Sequence, residues 1–169
     1  INFLKKNFPE IPLCVFGIGK KGIIDTLLSG APNVDYVLLG DPEEIIVELA
    51  QHIDRKEDSN RIQGVICKQA GRDFSITGAP RIIDNLDRLL PPAWHLIDLD
   101  RYYFFPHRYK ISKAYPITTT RGCSWNRCVF CEELSVASSS PYRSRSPENV
   151  VSEIEYAIKK NNYSEVQFH

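Results

Sequence analysis

The sequence predicts an α/β protein made of two structured parts and a linker. Helix-like and strand-like segments alternate over residues 1–54, which is typical of a doubly wound parallel sheet. A strand-like run at 115–120 leads into a loop, a helix pattern and a second strand-like run at 166–168. This order describes one β/α unit, and a closed β/α barrel needs roughly 200 residues or more. We therefore expect a fragment of a longer protein, cut at both ends.

Five elements are expected in the first part, residues 1–54. Apolar residues near one face predict a helix over residues 1–8, and the apolar run at 13–16 predicts a buried strand. A second helix then runs to a stop at Gly30, and a second strand follows it. Asp41 and the proline after it start the third helix, with the aspartate as the cap and two acids in the first turn.

The middle of the chain, residues 55–114, is predicted to be a linker between the first domain and a third domain at 115–169. Segments 61–68 and 73–77 are expected to form two short antiparallel strands within it. Prolines and large aromatic side chains alternate in the rest. Because disordered chains are poor in aromatic residues, we expect this stretch to pack against a folded part.

The third domain is predicted to hold one clear helix, which opens at residues 146–148 with Ser-Pro-Glu. Its apolar face includes Val150, Ile154 and Ala157, and two lysines suit its carboxyl end. The arginines just before it, at 143 and 145, are expected to be solvated or paired at the surface.

Composition excludes several classes of protein. The 169 residues are 43% hydrophobic and carry no formal net charge, so nothing indicates binding to nucleic acid or to an acidic membrane surface. No apolar run reaches the roughly 18 residues needed to cross a bilayer. The chain has five cysteines, and three of them are clustered. An odd number with this clustering does not suit a secreted disulfide framework. The sequence therefore predicts a cytoplasmic protein whose thiols bind a metal.

The three clustered cysteines are the candidate metal ligands. Cys123, Cys128 and Cys131 have the spacing C-x4-C-x2-C directly after a predicted strand, and thiolates this close in sequence can converge on one metal site. Gly122 allows a tight turn into the loop. On a cluster of four irons, three ligands would leave one iron open to another molecule.

Two other metal sites fit the cysteine pattern. A zinc site of three cysteines and one histidine would need His107 or His169 as its fourth ligand. Plant-type ferredoxins also begin with C-x4-C-x2-C, and Cys14 or Cys67 would then have to supply the fourth thiolate. Either alternative would make the chain a non-catalytic zinc-binding or electron-transfer module.

The cysteine loop resembles that of the radical S-adenosylmethionine enzymes, whose motif is usually C-x3-C-x2-C with an aromatic residue before the last cysteine. Phe130 matches this aromatic position, and one extra residue separates Cys123 from Cys128. The stretch at 142–154 is similar to the segment that follows the cluster in members with an amino-terminal cobalamin-binding domain. Residues 85–92 resemble the linker between their domains.

This resemblance implies a fold and a set of cofactors. The first part would be the C-terminal half of a Rossmann-like cobalamin domain, and the third would begin a partial TIM barrel. Cys123, Cys128 and Cys131 would ligate three irons of a [4Fe-4S] cluster, and S-adenosylmethionine would chelate the fourth. Its reductive cleavage would yield a 5′-deoxyadenosyl radical. The backbone at Phe130 would contact the adenine, and the family's other cofactor motifs would lie beyond His169.

The resemblance also implies partners. These are a small-molecule or peptide substrate and an external electron donor of the flavodoxin or ferredoxin type. The substrate and the catalytic residues cannot be named from these residues.

A glycine loop follows the first predicted strand. Gly17, Gly19 and Gly22 match the dinucleotide fingerprint, and Asp41 lies 19 residues after the last of them. The loop can thus be a nicotinamide dinucleotide site or an ordinary turn. The resemblance adds a third interpretation, in which Gly17 and Gly19 line the pocket for the nucleotide tail of cobalamin. The signature D-x-H-x-x-G of a cobalt ligand does not occur in this chain.

Overall fold

The computed structural model describes residues 1–17, 21–31, 33–68, 74–76, 79–97, 114–125, 127–130, 141–161, 163 and 165–169. The chain divides into two compact units. The first unit contains Ile1–Ile83 and Trp125–Ser140, and the second contains Asp84–Ser124 and Pro141–His169.

The first unit is built on a four-stranded sheet with the order β1-β2-β3-β4. β1 and β2 are parallel, whereas β2 with β3 and β3 with β4 are antiparallel. The predicted helices and strands are all present among the described residues. The elements are α1 (Asn2–Asn7), β1 (Cys14–Val15), α2 (Lys21–Gly30), β2 (Tyr36–Leu38), α3 (Pro42–Arg55), β3 (Val65–Lys68) and β4 (Phe74–Ile76).

The sheet continues into the segment predicted to be linker. β3 and β4 form the antiparallel pair expected from the sequence, and β3 also pairs with β2, with Val37 opposite Ile66. A short 3-10 turn at Ser59–Arg61 is all the helical structure between α3 and β3. This short connection returns the chain beside β2, so the first unit is larger than the predicted first domain.

Helices α2 and α3 cover opposite faces of this sheet, because successive side chains of a strand point to opposite sides. The α2 side buries Val37 and Ile66, and the α3 side buries Leu38, Val65 and Cys67. The two cores are completed by residues of the helices and loops: Ile24 and Val34 on the α2 side, and Ile45, Leu49 and Ile62 on the α3 side.

The start of α3 differs from the predicted aspartate cap. Asp41 occupies the cap position, but its carboxylate makes no cap hydrogen bond and instead accepts one from the backbone N–H of Ile83 at 2.8 Å. The backbone of Arg81 pairs with this corner too, since its N–H donates to Leu39 and its carbonyl accepts from Asp41. The segment after β4 is therefore bound to the carboxyl end of β2.

The second unit contains the predicted β/α unit. Strands β5 and β8 are parallel neighbours, with Tyr115 opposite Val166, and the helix between them buries Ala157 against Tyr115 and Tyr163. The run predicted as one strand at 115–120 divides into two. The elements are β5 (Ala114–Ile117), β6 (Thr120–Arg121), β7 (Arg143–Ser144), α4 (Pro147–Asn161) and β8 (Glu165–Phe168).

From Asp84 onwards, the described part of the proline- and aromatic-rich segment belongs to the second unit and packs within it. It contains two 3-10 turns, Leu86–Arg88 and Trp94–Leu96. Leu86 is buried, and the ring of Trp94 meets that of Tyr115 edge-on at 6.0 Å. Among the described helices, none has the length and apolar character needed to cross a membrane.

The Gly40→Ala substitution is expected to destabilise the first unit. Gly40 has φ +96°, and an added Cβ would overlap the backbone carbonyl of Arg81. Left-handed backbone alone costs a non-glycine residue about 1–2 kcal/mol, and the overlap adds to this cost. The free energy of unfolding, measured by urea denaturation, should fall by roughly 2 kcal/mol or more.

Gly30→Ala is the matched control, because an added Cβ at Gly30 meets no atom of the described residues within 4 Å. Its unfolding free energy should stay within about 0.5 kcal/mol of the parent. Equal stability of the two variants would contradict the close approach of Gly40 to Arg81.

Candidate metal centre

The cysteine loop leaves the second unit at the end of β6. Gly122 has φ +80°, a backbone conformation that favours glycine, and it turns the chain into the loop as predicted. Cys123 is exposed and Cys128 is partly buried. Cys131 lies outside the described residues, so the full set of three thiols stays a prediction.

The base of the cysteine loop is closed by β6 and β7. These strands pair antiparallel, with Thr120 opposite Ser144 and Arg121 opposite Arg143. The next residue, Arg145, donates its backbone N–H to the carbonyl of Thr119 at 2.9 Å. The chain therefore enters and leaves the loop at one place, just beyond the carboxyl end of β5. In β/α barrels this end of the strands carries the active site.

Apolar side chains of the loop are exposed around the cysteines. Phe130 is 86% exposed and Val129 is 98% exposed. The guanidinium of Arg127 lies over the ring of Trp125, 5.9 Å from its centroid. Phe130 thus has a free aromatic surface next to a candidate ligand, and its contact with adenine remains a prediction.

The glycine loop begins at the carboxyl end of β1, the edge of an open α/β sheet where ligands commonly bind. Gly17 has φ +81°, and no atom of the described residues lies within 4 Å of the position that a Cβ would take. Gly19, the second candidate for the cobalamin tail, lies outside the described residues.

The two remaining cysteines are poor metal ligands. Cys14 and Cys67 lie opposite Tyr36 on its two neighbouring strands, and both pack in the core under α3. Burial raises the pKa of each thiol to about 11, so both are protonated near neutral pH. Because the thiolate is the form that binds metal, this environment disfavours the ferredoxin alternative.

The histidines of the zinc alternative are only partly described. His169 is exposed, and its backbone pairs with Ile117 and Thr119 at the end of β5. His107 lies outside the described residues. Over the described ranges, which omit Cys131, no group of three or more His, Cys, Asp or Glu side chains could hold a metal ion.

One polar cluster was not expected from the sequence. Arg145 was predicted at the surface, but its side chain is 10% exposed and pairs at 2.6 Å with Glu153, which is 4% exposed. The other carboxylate oxygen of Glu153 accepts a hydrogen bond from Tyr115 Oη at 2.7 Å. Position 153 lies on the apolar stripe of α4, three residues after Val150 and four before Ala157. A charged residue on an apolar stripe is the sequence signal that could have predicted a buried, paired carboxylate.

Thiol labelling can test the difference between the cysteines. In the reduced, metal-free protein at pH 8, Cys14 and Cys67 should react with iodoacetamide far more slowly than Cys123. A pKa of about 11 leaves only about one thiol in a thousand ionised at that pH, and burial hinders access further. Peptide mass spectrometry would measure each rate, and labelling of Cys14 as fast as Cys123 would contradict the buried environment.

No protein-family model matches the sequence. The chain is 27% identical over 164 residues to the anaerobic magnesium-protoporphyrin IX monomethyl ester cyclase of Rubrivivax gelatinosus, covering 95% of this chain and 28% of the relative. It is 29% identical over 154 residues to the hopanoid C-3 methylase of Methylococcus capsulatus, covering 89% of this chain and 27% of the relative. The chain thus spans less than a third of these relatives.

A solved structure has the same fold over most of the chain. It is the radical S-adenosylmethionine methyltransferase TsrM from Kitasatospora setae, with cobalamin and a [4Fe-4S] cluster bound. The TM-score is 0.59 at 22% identity, over 90% of this chain and 29% of TsrM. This match confirms a mixed α/β fold that corresponds to part of a larger protein. Together, these similarities agree with the resemblance seen in the cysteine motif: the chain is similar in sequence to a cyclase and a methylase, and in fold to a radical S-adenosylmethionine methyltransferase.

Proposed function

We propose that this chain is part of a radical S-adenosylmethionine enzyme in which Cys123, Cys128 and Cys131 bind a [4Fe-4S] cluster. The observation that carries the proposal is the position of the cysteine loop, whose base is closed just beyond the carboxyl end of β5. Similarity to a cyclase and a methylase over about nine-tenths of the chain supports it.

The chain's own residues suit the cofactors of this class. The exposed thiol of Cys123 and the accessible Cys128 can bind metal without unfolding a core. Three thiolates would leave one iron for the amino and carboxylate groups of S-adenosylmethionine, with the backbone near Phe130 beside the adenine. With both groups bound, the cluster would supply the electron that cleaves S-adenosylmethionine and yields a 5′-deoxyadenosyl radical.

We also propose that the first part of the chain, residues 1–54, comes from a cobalamin-binding domain, with a linker at 55–114 and a partial TIM barrel from 115. Support comes from the helices on both faces of the sheet and from Gly17, where no atom of the described residues lies within 4 Å of the position of a Cβ. Gly17 and Gly19 would line the nucleotide tail. The structural neighbour TsrM binds cobalamin in its own solved structure.

The relatives differ in reaction although they share this span. One is named a cyclase, another a methylase and the structural neighbour a methyltransferase. Because proteins with such different reactions share this segment, a role in cofactor binding fits it better than a role in substrate selection. We propose a small-molecule or peptide substrate, an external flavodoxin- or ferredoxin-type electron donor, and a cytoplasmic location.

The proposal predicts different effects for two cysteine substitutions in the full-length protein. After anaerobic reconstitution with iron and sulfide, Cys128→Ala should lose most of its cluster iron, because one of three thiolate ligands is removed. Cys14→Ala, the matched control, should keep the iron content of the parent, because its thiol is protonated and packed in the first unit. Iron and sulfide analysis would measure both.

Electron paramagnetic resonance of the reduced protein, with and without S-adenosylmethionine, separates the alternatives. A [4Fe-4S] signal that changes on adding the cofactor is the expected result, because it reports an iron open to binding. A signal that does not change on adding the cofactor would favour an electron-transfer module. Stoichiometric zinc without iron would favour the structural site.

A further inference from the structure

Arg145 contacts both sides of the base of the cysteine loop. Its Nη1 donates to the backbone carbonyl of Thr118 at 3.0 Å, at the end of β5. Its Nε donates to Asn149 Oδ1 at 2.7 Å, in the first turn of α4, and its Nη2 pairs with Glu153 one turn later. With its own backbone bonded to Thr119, this residue joins the entry of the loop to its exit.

The ion pair of Arg145 with Glu153 is largely shielded from solvent, since the two side chains are 10% and 4% exposed. Glu153 also accepts the hydroxyl hydrogen of Tyr115, so both carboxylate oxygens have partners. Burial, together with the hydrogen bond to Glu153, holds the pKa of Tyr115 well above its ordinary value, so the phenol remains a donor. Because a charge shielded from solvent is disfavoured without its partners, the pair with Glu153 favours this position of the Arg145 side chain.

Asn149 extends this arrangement to the linker turn. Its Nδ2 donates to the carbonyl of Asp87 at 3.3 Å, and the Asp87 carboxylate accepts the N–H of Ser146 at 2.9 Å. Ser146 Oγ in turn accepts the N–H of Asn149 at 3.2 Å, as a cap of α4. The exit of the loop is therefore bound to the turn at Leu86–Arg88.

The strands alone cannot fix the base of the loop. β6 and β7 have two residues each, and an isolated two-stranded pairing is marginally stable at best in water. Convergence of three thiolates on one cluster needs both ends of the loop at fixed positions. The contacts of Arg145 supply this constraint.

We propose that Arg145 is a positioning residue for the metal cluster. It acts through the backbone at Thr118 and through Asn149 and Glu153, and it fixes the loop that carries Cys123 and Cys128. This inference rests on the proposed function, since it requires that the cysteine loop binds a metal cluster. Lysine could replace the charge but not the planar fork that reaches three partners at once.

The test compares Arg145→Lys and Arg145→Gln with the parent in the full-length protein, reconstituted anaerobically with iron and sulfide. Both variants should release cluster iron to a chelator faster, by roughly 10–100-fold, as found when groups that orient metal ligands are removed. The change in the paramagnetic resonance signal on adding S-adenosylmethionine should also be smaller. Circular dichroism would confirm that the helices remain.

Lys159→Gln is the matched control, because it removes one positive charge from α4, the helix that Arg145 contacts through Asn149 and Glu153. Lys159 pairs with Glu155 in an exposed i,i+4 contact at 3.0 Å, far from the base of the loop in sequence. Iron release from this variant should equal that of the parent. Asn149→Ala is a second test variant that leaves no unpaired charge if the arginine variants fail to fold, and it should also speed iron release.

A purely structural role would lower the melting temperature of these variants and leave the rate of iron release and the resonance signal unchanged. That result in Arg145→Lys, or in Asn149→Ala if the arginine variants do not fold, would overturn the proposal. Suppose that the resonance signal of the parent does not change on adding S-adenosylmethionine, but Arg145→Lys still releases iron faster than the parent. This result would contradict only the proposed function. A parent that binds no cluster would contradict both.

Discussion

The buried ion pair between Arg145 and Glu153 is the interaction on which the cysteine loop depends. Taking two charges out of water costs several kcal/mol per ion, and this cost is offset only when both ions are fully paired and hydrogen-bonded. Glu153 therefore requires Tyr115 on β5 and Arg145 at the loop exit at the same time. β5, the exit of the loop and α4 must therefore be positioned together, and this requirement fixes the position of the base of the loop.

Each unit also uses an aspartate to hold a neighbouring backbone. In the first unit, Asp41 accepts the N–H of Ile83, and in the second, Asp87 accepts the N–H of Ser146. The two units meet in sequence between Ile83 and Asp84, so these anchors lie on either side of that boundary. The segment predicted as a linker is therefore divided between the two units: its backbone at Ile83 is bound in the first, and its Asp87 carboxylate binds the backbone of Ser146 in the second.

The sequence predicted elements whose signals are local, and it failed where partners are distant. Helix α3, the strands of the first unit, and β5 and β8 of the second follow from apolar periodicity and turn residues, whereas β7 was not predicted. The pairing of β2 with β3 did not, because nothing in residues 61–68 specifies which strand they join. Asp41 was predicted as a cap, since Ile83, its actual partner, is 42 residues away. The buried position of Arg145 depends in the same way on Glu153 and on the end of β5, whereas the cysteines of the candidate site stood out by spacing alone.

The fixed base of the loop also explains how the chain can carry one residue more between Cys123 and Cys128 than the usual C-x3-C spacing. The ends of the loop are held by β6, β7 and Arg145, so an insertion must be absorbed between Gly122 and Cys128. Trp125 and Arg127 in that stretch are exposed and stack on each other instead of filling a core. A longer loop there disturbs no buried contact of either side chain and costs little closure entropy, because that entropy changes slowly with length. The unusual spacing is thus compatible with a cluster site whose position is set at the base of the loop.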